Sequence, residues 1–487
     1  METSYTKLDD ISEQMYFQLM KQVKSSPWRQ SYHIQPGTGL LNDPNGLAWY
    51  NGFYHLFYQW FPLGPVHGIK YWYHLRSKDL FHWEDLGVAL APDRDFDSHG
   101  VYSGSSIEKD GLLYLFYTGN QRDEDWVRHS SQCLATMDKD GKITKEAAPL
   151  IPKPPQGITE HFRDPKVWKG KNGYFMIAGA QKCSQLGTAL LYQSSDLMQW
   201  DYRGELAVPW KTKAFMWECP DYFELGDNGI LMLSPQGVET EESEDANIYE
   251  SGYLIGPPMN EDTLAFDGDR YQRLDYGFDF YAPQTFEDPL GRRIMFGWMG
   301  LPEIQYPTDR YGWAHCMTIP RELTVKDGRI RQNPVKEIEL LRTESICETI
   351  ILENNSFKDA RFYGRHYELM IQILNQSAGM FEINIRQNKQ EQTTIRYSSE
   401  DKTVCVDRSI SGEVFAEDYG FLRKAKLERE LEEIRIFSDE SSLEIFINQG
   451  EVCFSLRIFP QETGVETEFI AKEGCVKAAI QKWNLKV

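Results

Sequence analysis

The feature that most constrains this chain is a hairpin pattern that occurs five times. Each copy reads as a short strand, a polar turn with a glycine, and a second, more apolar strand, as glycine turns and flanking aromatic or β-branched residues predict. The copies span 47–59, 105–119, 166–180, 222–235 and 285–300. Their turn glycines are Gly52, Gly111, Gly173, Gly229 and Gly291, at intervals of 59, 62, 56 and 62 residues.

Units of roughly 60 residues are the size of a β-propeller blade of four strands with its loops. The repeat therefore predicts a five-bladed propeller over residues 31–332. Ordinary hairpins of a sandwich or barrel remain the alternative on this pattern alone.

The two ends of the chain differ from the repeat. Within residues 1–30, the spacing of Leu8, Ile11, Met15, Phe17 and Leu19 predicts an N-terminal cap helix. Residues 333–345 read as a linker helix, and 346–487 alternate as strands, with a hairpin turn at 448–450. We expect an all-β chain in which a C-terminal β-sandwich follows the propeller.

Composition excludes several classes of partner. The chain has 73 acidic and 52 basic residues and a net charge of −21, which argues against nucleic acid or an anionic membrane surface. The first residues contain no apolar signal core and no segment has the length of a membrane span, so we expect a cytoplasmic protein. Oligomeric state is not predicted.

Cysteine usage and charge runs indicate no further site. The eight cysteines occur without CxxC pairs or companion histidines, which indicates reduced thiols rather than disulfides or zinc. We expect neither a metal nor a cofactor. The acidic stretch 239–245 is expected to be an exposed loop.

A polar motif precedes each turn glycine at a similar distance. The distances are 9 residues for Asp43, 8 for Ser103, 9 for Asp164, 11 for Glu218 and 10 for Tyr281. Alone, an Asp-Pro segment is more often a turn than a site. Residues at equivalent places on the innermost strands of a propeller point into one central funnel, so the shared phase predicts that these side chains converge.

Three carboxylic acids in one funnel suit a glycosidase. Two flank the scissile bond as nucleophile and as acid/base, and a third supports developing positive charge. Glu218 follows Phe215-Met216-Trp217, an apolar context that would favour the protonated acid. Asp43 lies in a polar turn that would keep it ionised as the nucleophile, and Arg163 would keep Asp164 anionic.

These residues resemble glycoside hydrolase family 32, the invertases, fructanases and sucrose-6-phosphate hydrolases. The resemblance rests on motifs that occur in one order from His33 onward. They are Leu41-Asn42-Asp43-Pro44-Asn45-Gly46, Tyr58-Gln59, Tyr102-Ser103-Gly104-Ser105, Arg163-Asp164-Pro165, Glu218-Cys219 and Pro320-Arg321-Glu322-Leu323. The family fold is a five-bladed propeller followed by a sandwich, and 441–448 resembles its sandwich signature.

The resemblance implies site residues as well as a fold. It makes Asp43 the nucleophile, Glu218 the acid/base and Asp164 the transition-state stabiliser of a retaining mechanism through a fructosyl-enzyme. It suggests substrate contacts from Leu41, Asn42, Gln59, Trp72, Tyr102, Ser103, Arg163, Tyr281 and Trp298. The chain departs from the family at Tyr71-Trp72-Tyr73-His74, where relatives commonly have a His-Trp-Gly-His-like stretch, and at Tyr102, where many carry Phe.

Several functions stay open at this point. The expected small-molecule partner is sucrose, sucrose 6-phosphate or a short fructooligosaccharide. Basic residues near the motifs are candidates for a phosphate contact, although such residues are usually solvated. They are His67, Lys70, Arg122, Arg128 and Lys213. A fructoside-binding propeller without catalysis, a protein-interaction platform and a glycosidase for arabinose or xylose are the rivals.

Overall fold

A computed structural model of the 487-residue chain describes residues 2–237 and 249–486. The predicted acidic loop at 239–245 lies outside these ranges. Across the described residues, none of the helices has both the length and the apolar character needed to cross a bilayer.

Five antiparallel sheets follow one another along the first two-thirds of the chain. Blade 1 contains β1 (Gly39–Tyr50), β2 (Phe53–Phe61), β3 (Tyr71–Ser77) and β4 (Trp83–Leu90). Blade 2 contains β5 (Val101–Lys109), β6 (Leu112–Arg122), β7 (Arg128–Met137) and β8 (Ile143–Lys145). Blade 3 contains β9 (Ile158–Gly170), β10 (Gly173–Lys182), β11 (Gly187–Ser194) and β12 (Asp201–Glu205). Blade 4 contains β13 (Met216–Leu225), β14 (Asn228–Gln236), β15 (Gly252–Gly256) and β16 (Gln272–Arg273).

The fifth sheet closes the ring. It contains β17 (Tyr281–Glu287), β18 (Arg293–Met299), β21 (Arg321–Lys326) and β22 (Arg329–Pro334). Between them, β19 (Trp313–Ala314) pairs in parallel with the start of β1 and β20 (Cys316–Met317) pairs with β18. Because one short segment joins blade 5 to blade 1, the propeller predicted from the repeat is held together by backbone hydrogen bonds at its seam.

The predicted turn glycines are correct in four copies and wrong in one. Gly52, Gly111, Gly173 and Gly291 have positive φ at or beside the turn. In blade 4 the turn is instead Gly226-Asp227, since Leu225 pairs with Asn228, and Gly229 already lies within β14. Gly226 has the positive φ of 61° that Gly229 was expected to have. Because two glycines lie three residues apart here, the sequence pattern assigned the turn to the wrong one.

Each blade packs on its neighbours through its own apolar cluster. In β6, Leu115 and Tyr117 face blade 1, whereas Phe116 between them faces blade 3. Alternate residues of a strand point to opposite faces, so strands buried on both faces appear as continuous apolar runs such as 112–117. Similar clusters join blades 3 and 4, blades 4 and 5, and blades 5 and 1.

A sandwich of two six-stranded sheets follows the propeller. One sheet contains β23 (Arg342–Glu353), β25 (Tyr367–Gln376), β30 (Glu433–Ser438), β31 (Ser442–Ile447), β32 (Val452–Arg457) and β34 (Cys475–Leu485). The other contains β24 (Ser356–Lys358), β26 (Met380–Gln387), β27 (Gln392–Ser398), β28 (Thr403–Ile410), β29 (Leu422–Lys426) and β33 (Glu466–Lys472). Their inner faces share one aliphatic core. The predicted hairpin at 448–450 is confirmed, since Ile447 pairs with Val452 across it.

The helices are shorter than the sequence pattern predicts. The α-helix α1 spans Glu13–Lys24, because the Ser12 hydroxyl accepts a hydrogen bond from Met15 N at 3.2 Å and caps it there. Met15 and Phe17 are exposed, so the predicted apolar face is not a buried one. The linker is a 3₁₀-helix, Lys336–Leu341. Other single 3₁₀ turns are Glu2–Tyr5, Leu8–Asp10, Asp95–Asp97, Asp309–Tyr311, Ala360–Phe362 and Glu417–Tyr419.

A buried network of charges joins the two domains at Glu444. Arg321 of blade 5 donates to Glu444 Oε2 at 2.6 Å through Nη2 and to Asp275 Oδ2 at 3.1 Å through Nη1. His33, which precedes blade 1, contacts Glu444 Oε1 at 3.0 Å and Asp439 Oδ2 at 2.7 Å. All five side chains are shielded from solvent. Arg321 and Glu444 lie in two of the motifs that carry the family resemblance, and their role here is to fix one domain on the other.

Replacing His33 tests this network. Its two carboxylate partners raise the pKa of His33 to about 9 despite burial. The histidine therefore stabilises the fold fully below its unfolded pKa of about 6.5, and this contribution is lost as pH rises toward 9. We expect His33→Gln to lower the free energy of unfolding by about 3–5 kcal/mol at pH 6 and to flatten the decline in stability between pH 6.5 and 9. Urea denaturation at several pH values measures both.

The matched control is His82→Gln. His82 also contacts a carboxylate, Asp79 Oδ2 at 2.8 Å, but is 52% exposed. It should change stability by less than about 1 kcal/mol. An equally small change in His33→Gln would show that the buried network does not hold the domains together.

Candidate active site

The innermost strand of every blade carries a β-bulge near its start. The strand register shifts between Leu41 and Pro44, Tyr102 and Gly104, Arg163 and Lys166, Glu218 and Asp221, and Tyr281 and Gln284. A bulge re-aims side chains out of the regular alternation and tolerates proline, which has no N–H to donate. This explains why Pro165, Pro220 and Pro283 occur within these bulges and why adjacent residues both reach the funnel.

The bulges also correct which residues occupy equivalent positions in the different blades. Asp164, Cys219 and Ala282 occupy the same place in blades 3, 4 and 5, and all three have positive φ, at 63°, 47° and 47°. Glu218 thus corresponds to Arg163 rather than to Asp164. The three acids converge as predicted, but they do so from two adjacent positions of the repeat.

Asp43 is held by a ring of hydrogen bonds at the floor of the funnel. Asn42 Nδ2 donates to Asp43 Oδ1 at 3.0 Å and to Gln59 Oε1 at 2.8 Å. Gln59 Nε2 donates to Ser103 Oγ, which donates to Asp43 Oδ2. Burial raises the pKa of Asp43, while the bonds from Ser103 and Asn42 oppose the rise. The ring fixes both carboxylate oxygens, and its donors offset part of the effect of burial on the ionised form.

Glu218 is surrounded by hydrogen-bond donors. Arg163 donates to Oε1 through Nη2 at 2.6 Å and through Nε at 3.0 Å. Gln236 Nε2 and the Tyr281 hydroxyl donate to Oε2 at 2.7 Å and 2.6 Å. The expectation of an apolar setting from the preceding residues was wrong, because the partners come from blades 3, 4 and 5. These four hydrogen bonds hold the Glu218 carboxyl group in one orientation.

Asp164 is the acid most affected by burial. It accepts a hydrogen bond from Cys219 N at 3.0 Å, and Arg163 Nε lies 4.0 Å from its Oδ2. The charge of Arg163 lowers the pKa of Asp164 as expected, but burial outweighs it and raises the pKa to about 7. The hydrogen bonds of Arg163 go to Glu218 instead. The burial of Asp164 beside two other acids therefore disfavours its ionised form.

A buried lysine lies behind the floor. Lys70 Nζ donates to Asn42 Oδ1 at 2.7 Å and contacts His67 Nδ1 at 3.2 Å. Burial lowers the pKa of Lys70 to about 7 and that of His67 well below its usual range. Both residues were candidates for a phosphate contact. Their position beneath Asn42 indicates that they orient the amide whose Nδ2 serves Asp43.

Two residues predicted to touch a substrate are fully buried. Leu41 and Trp72 have no exposed surface. The Trp72 indole packs between blades 1 and 2 and donates through Nε1 to the Tyr102 carbonyl at 3.0 Å, whereas the Leu41 carbonyl lies 3.0 Å from His315 Nδ1. Each supports the backbone that carries a neighbouring site residue, and its direct contact with a substrate stays a prediction.

The remaining predicted contacts line the walls. Tyr281 contacts Glu218 through its hydroxyl, and its ring lies 6.1 Å from that of Trp298. Trp298 in turn lies 5.9 Å from the His67 ring. Tyr102 is partly exposed, and Arg128 lies 5.9 Å above its ring. Arg128 thus lies beside Tyr102, and Arg122 lies opposite Arg128 across the hairpin of blade 2.

A second cavity lies at the opposite ends of the innermost strands. It measures about 640 Å³ and is lined by residues such as Trp49, Trp168, Phe223 and Arg293. Its cation Lys166 already donates to Asp221 Oδ2 at 3.1 Å and to the Thr285 carbonyl. Asp43, Asp164 and Glu218 all lie at the bulged end, so we place the chemistry there.

Comparison with known proteins agrees with this geometry. Residues 33–334 match the N-terminal domain of the glycosyl hydrolases family 32, and residues 337–486 match its C-terminal domain. The chain belongs to glycosyl hydrolase family 32. It is an all-β glycosidase built as a five-bladed propeller with a β-sandwich.

Relatives resemble this glycosidase over its whole length. A sucrose-6-phosphate hydrolase of Staphylococcus xylosus is 44% identical over 489 residues, which cover 100% of this chain and 98% of the relative. The structure of a sucrose-6-phosphate hydrolase from Lactobacillus gasseri matches with a TM-score of 0.92 and 37% identity, covering 100% and 99%. A mutant Bombyx mori β-fructofuranosidase in complex with sucrose matches with a TM-score of 0.82 and 32% identity, covering 98% and 99%.

Sequence reasoning missed several residues of the glycosidase site. Cys219 lies between two acids, with Sγ 3.8 Å from Asp43 Oδ2 and 3.7 Å from Asp164 Oδ2. Gln236 reaches Glu218, and Thr118 Oγ1 accepts from Asp164 N at 3.0 Å. The Glu-Cys pair signalled Cys219. Gln236 and Thr118 lie on second strands, outside the repeated motif, and gave no signal.

Substitution of Asp164 tests the cost of burying three acids together. Its folded pKa of about 7 exceeds the unfolded value, so its ionisation opposes folding increasingly as pH rises from about 4 to 7. We expect Asp164→Asn to gain stability relative to wild type, on the order of 2 kcal/mol more at pH 7.5 than at pH 4.5. Denaturant unfolding at the two pH values measures the difference. Asp201→Asn, at an exposed position of β12, should show none; an equal effect of both variants would contradict the assignment.

Proposed function

We propose that this enzyme is a retaining β-fructofuranosidase that acts on sucrose 6-phosphate and, more weakly, on sucrose. The observation that supports the proposal most is the convergence of Asp43, Asp164 and Glu218 at one end of the propeller, each with its own partners. Asp43 is the nucleophile, Glu218 the acid/base and Asp164 the stabiliser.

In the first step Asp43 attacks the anomeric carbon of the fructosyl unit. The bond from its carboxylate oxygen forms as the glycosidic bond breaks, and Glu218 gives its proton to the leaving oxygen. The hydroxyl of Tyr281 both donates and accepts, so it remains bonded to Glu218 in either protonation state. Asp164 lies within the funnel to bind fructose hydroxyls and support positive charge at the anomeric carbon.

In the second step water hydrolyses the fructosyl ester of Asp43. Glu218 takes the proton of the attacking water, and the ester bond to Asp43 breaks, which restores the starting state with retained configuration. The hydrogen bonds from Arg163 and Gln236 hold the Glu218 carboxylate in the orientation from which it takes this proton.

The choice of sucrose 6-phosphate is supported by the relatives. The sucrose-6-phosphate hydrolases are similar to this chain over their full length, whereas the sucrose complex is of a protein at 32% identity. We therefore place the reaction in the cytoplasm, where a phosphorylated sugar is retained by its charge.

Removing the nucleophile gives the direct test. We expect Asp43→Asn to lower kcat/KM on sucrose 6-phosphate by roughly three orders of magnitude or more, because the amide cannot form the fructosyl ester. Steady-state release of glucose 6-phosphate measures activity, and thermal unfolding checks that the variant is folded. A folded variant with near-normal activity would refute the scheme.

Glu218→Gln distinguishes the two acids within the same experiment. A fructoside with a leaving group that needs no proton should still fructosylate this variant, and the ester on Asp43 should accumulate because its base is missing. Mass spectrometry of the intact protein would show the added fructosyl mass. Absence of the adduct, with the substrate consumed normally, would contradict the acid/base role.

The substrate assignment predicts a preference. Charge-assisted hydrogen bonds to a phosphate contribute about 1.5–3 kcal/mol, so kcat/KM should favour sucrose 6-phosphate over sucrose by about tenfold or more. Parallel assays of the two sugars under identical salt conditions measure the ratio. A ratio of one or below would make the enzyme a general β-fructofuranosidase.

A further inference from the structure

The hairpin of blade 2 carries two arginines that lie opposite each other. Arg122 ends β6 and Arg128 begins β7, and the two are direct partners across the hairpin. Like charges directly opposite each other in an antiparallel pair are destabilising. This arrangement occurs in a chain with 73 acidic and 52 basic residues, where a carboxylate partner would be easy to supply.

No carboxylate in the described part of the chain pairs with either arginine. In residues 2–237 and 249–486 neither forms an ion pair, and the buried Nε of each has no hydrogen-bond partner. Arg122 Nη1 donates only to the Trp126 carbonyl at 3.0 Å in this part of the chain. The nearest acid in sequence, Asp123, pairs with His129 Nε2 at 2.9 Å instead. By contrast, the fully buried Arg321 has two carboxylate partners.

The pair lies next to the catalytic groups. Arg128 lies 5.9 Å above the ring of Tyr102, and the next residue, Ser103, donates to Asp43. On the other side, His161 Nδ1 lies 3.1 Å from Arg163 Nη1, and Arg163 holds Glu218. Burial, together with the nearby charges of Arg163 and Arg128, lowers the pKa of His161 to about 4. The two arginines are therefore at the edge of the same funnel.

Aromatic rings border this cationic pair. Tyr5, from the 3₁₀ turn that precedes α1, packs edge-on against Trp126 with centroids 5.1 Å apart and lies 5.7 Å from His99. His99 Nδ1 accepts a hydrogen bond from Arg122 N at 3.2 Å. The Nε atoms of both arginines are buried, and a less solvated guanidinium attracts an anion more strongly.

We propose that Arg122 and Arg128 form the subsite for the 6-phosphate of the substrate. A sugar phosphate, like a phosphorylated side chain, carries about −1.5 to −2 charges at neutral pH, which two guanidinium groups match. Their planar donor forks suit phosphate oxygens better than a lysine ammonium does. The inference rests on the proposed function, since it assigns the charged part of that substrate to the rim of the funnel.

The test measures the ratio of kcat/KM on sucrose 6-phosphate to kcat/KM on sucrose. In Arg122→Gln and Arg128→Gln the ratio should fall about tenfold each, as expected for loss of charge-assisted bonds. The ratio for Arg128→Lys should lie between those for wild type and Arg128→Gln, because lysine keeps the positive charge but lacks the planar pair of donors. Arg203→Gln, at an exposed position of β12, removes one positive charge away from the rim and should leave the ratio unchanged.

A binding experiment separates this inference from the proposed function. Calorimetry should show that wild type binds glucose 6-phosphate more tightly than glucose, and that Arg122→Gln and Arg128→Gln lose about tenfold in affinity for the phosphate. An unchanged ratio and unchanged affinity in both folded variants would overturn the subsite while leaving a preference for sucrose 6-phosphate intact. Failure of wild type to cleave either sugar would overturn the function, and the calorimetry would still decide whether these arginines bind phosphate.

Discussion

The constraint on which the site depends is the bulge that interrupts the innermost strand of every blade. A regular strand sends adjacent side chains to opposite faces, so Arg163 and Asp164 would not both reach one funnel. The bulge breaks this alternation, and the ring of blades brings five such breaks to one end of the molecule. Close packing keeps them in place: a Cβ on Gly104 would overlap the Phe116 carbonyl of the neighbouring strand. The chemistry therefore depends on backbone geometry before it depends on any particular acid.

The ring needs two further restraints, one at its seam and one beside it. The seam is the parallel pairing of Trp313–Ala314 with the start of β1, only a few residues before Asp43. Beside it, His33 and Arg321 fix the same edge to Glu444 of the sandwich. The sandwich contributes no acid to the funnel, yet its carboxylates hold the strand that leads into the nucleophile. Buried charge of this kind contributes orientation more than net stability.

The sequence predicted those features that recur locally and missed those that arise between blades. The repeat predicted the five blades and the positions of the three acids, and the turn at 448–450 predicted the hairpin of the sandwich. It could not identify the partners of Glu218, because Arg163 and Tyr281 are 55 and 63 residues away along the chain. The sequence also predicted that Trp72 contacts the substrate, although its indole packs between blades 1 and 2. A local motif shows which residues lie near the axis, but burial is decided by the blade that packs against it.

Backbone strain and buried charge destabilise the site, and it is maintained only because the packed blades around it are rigid. Asp164 and Cys219 hold positive φ, a backbone conformation that costs of order 1–3 kcal/mol for a residue with a side chain. Burial also raises the pKa of Asp43 and Asp164, so keeping both ionised beside Glu218 opposes folding. These costs offset only part of the stabilisation from the apolar clusters between all neighbouring blades. The two arginines of the proposed phosphate subsite lie opposite each other across a hairpin, which adds a further cost that a bound anion would relieve. The stability of the protein is thus lowered at the positions that are proposed to bind the substrate.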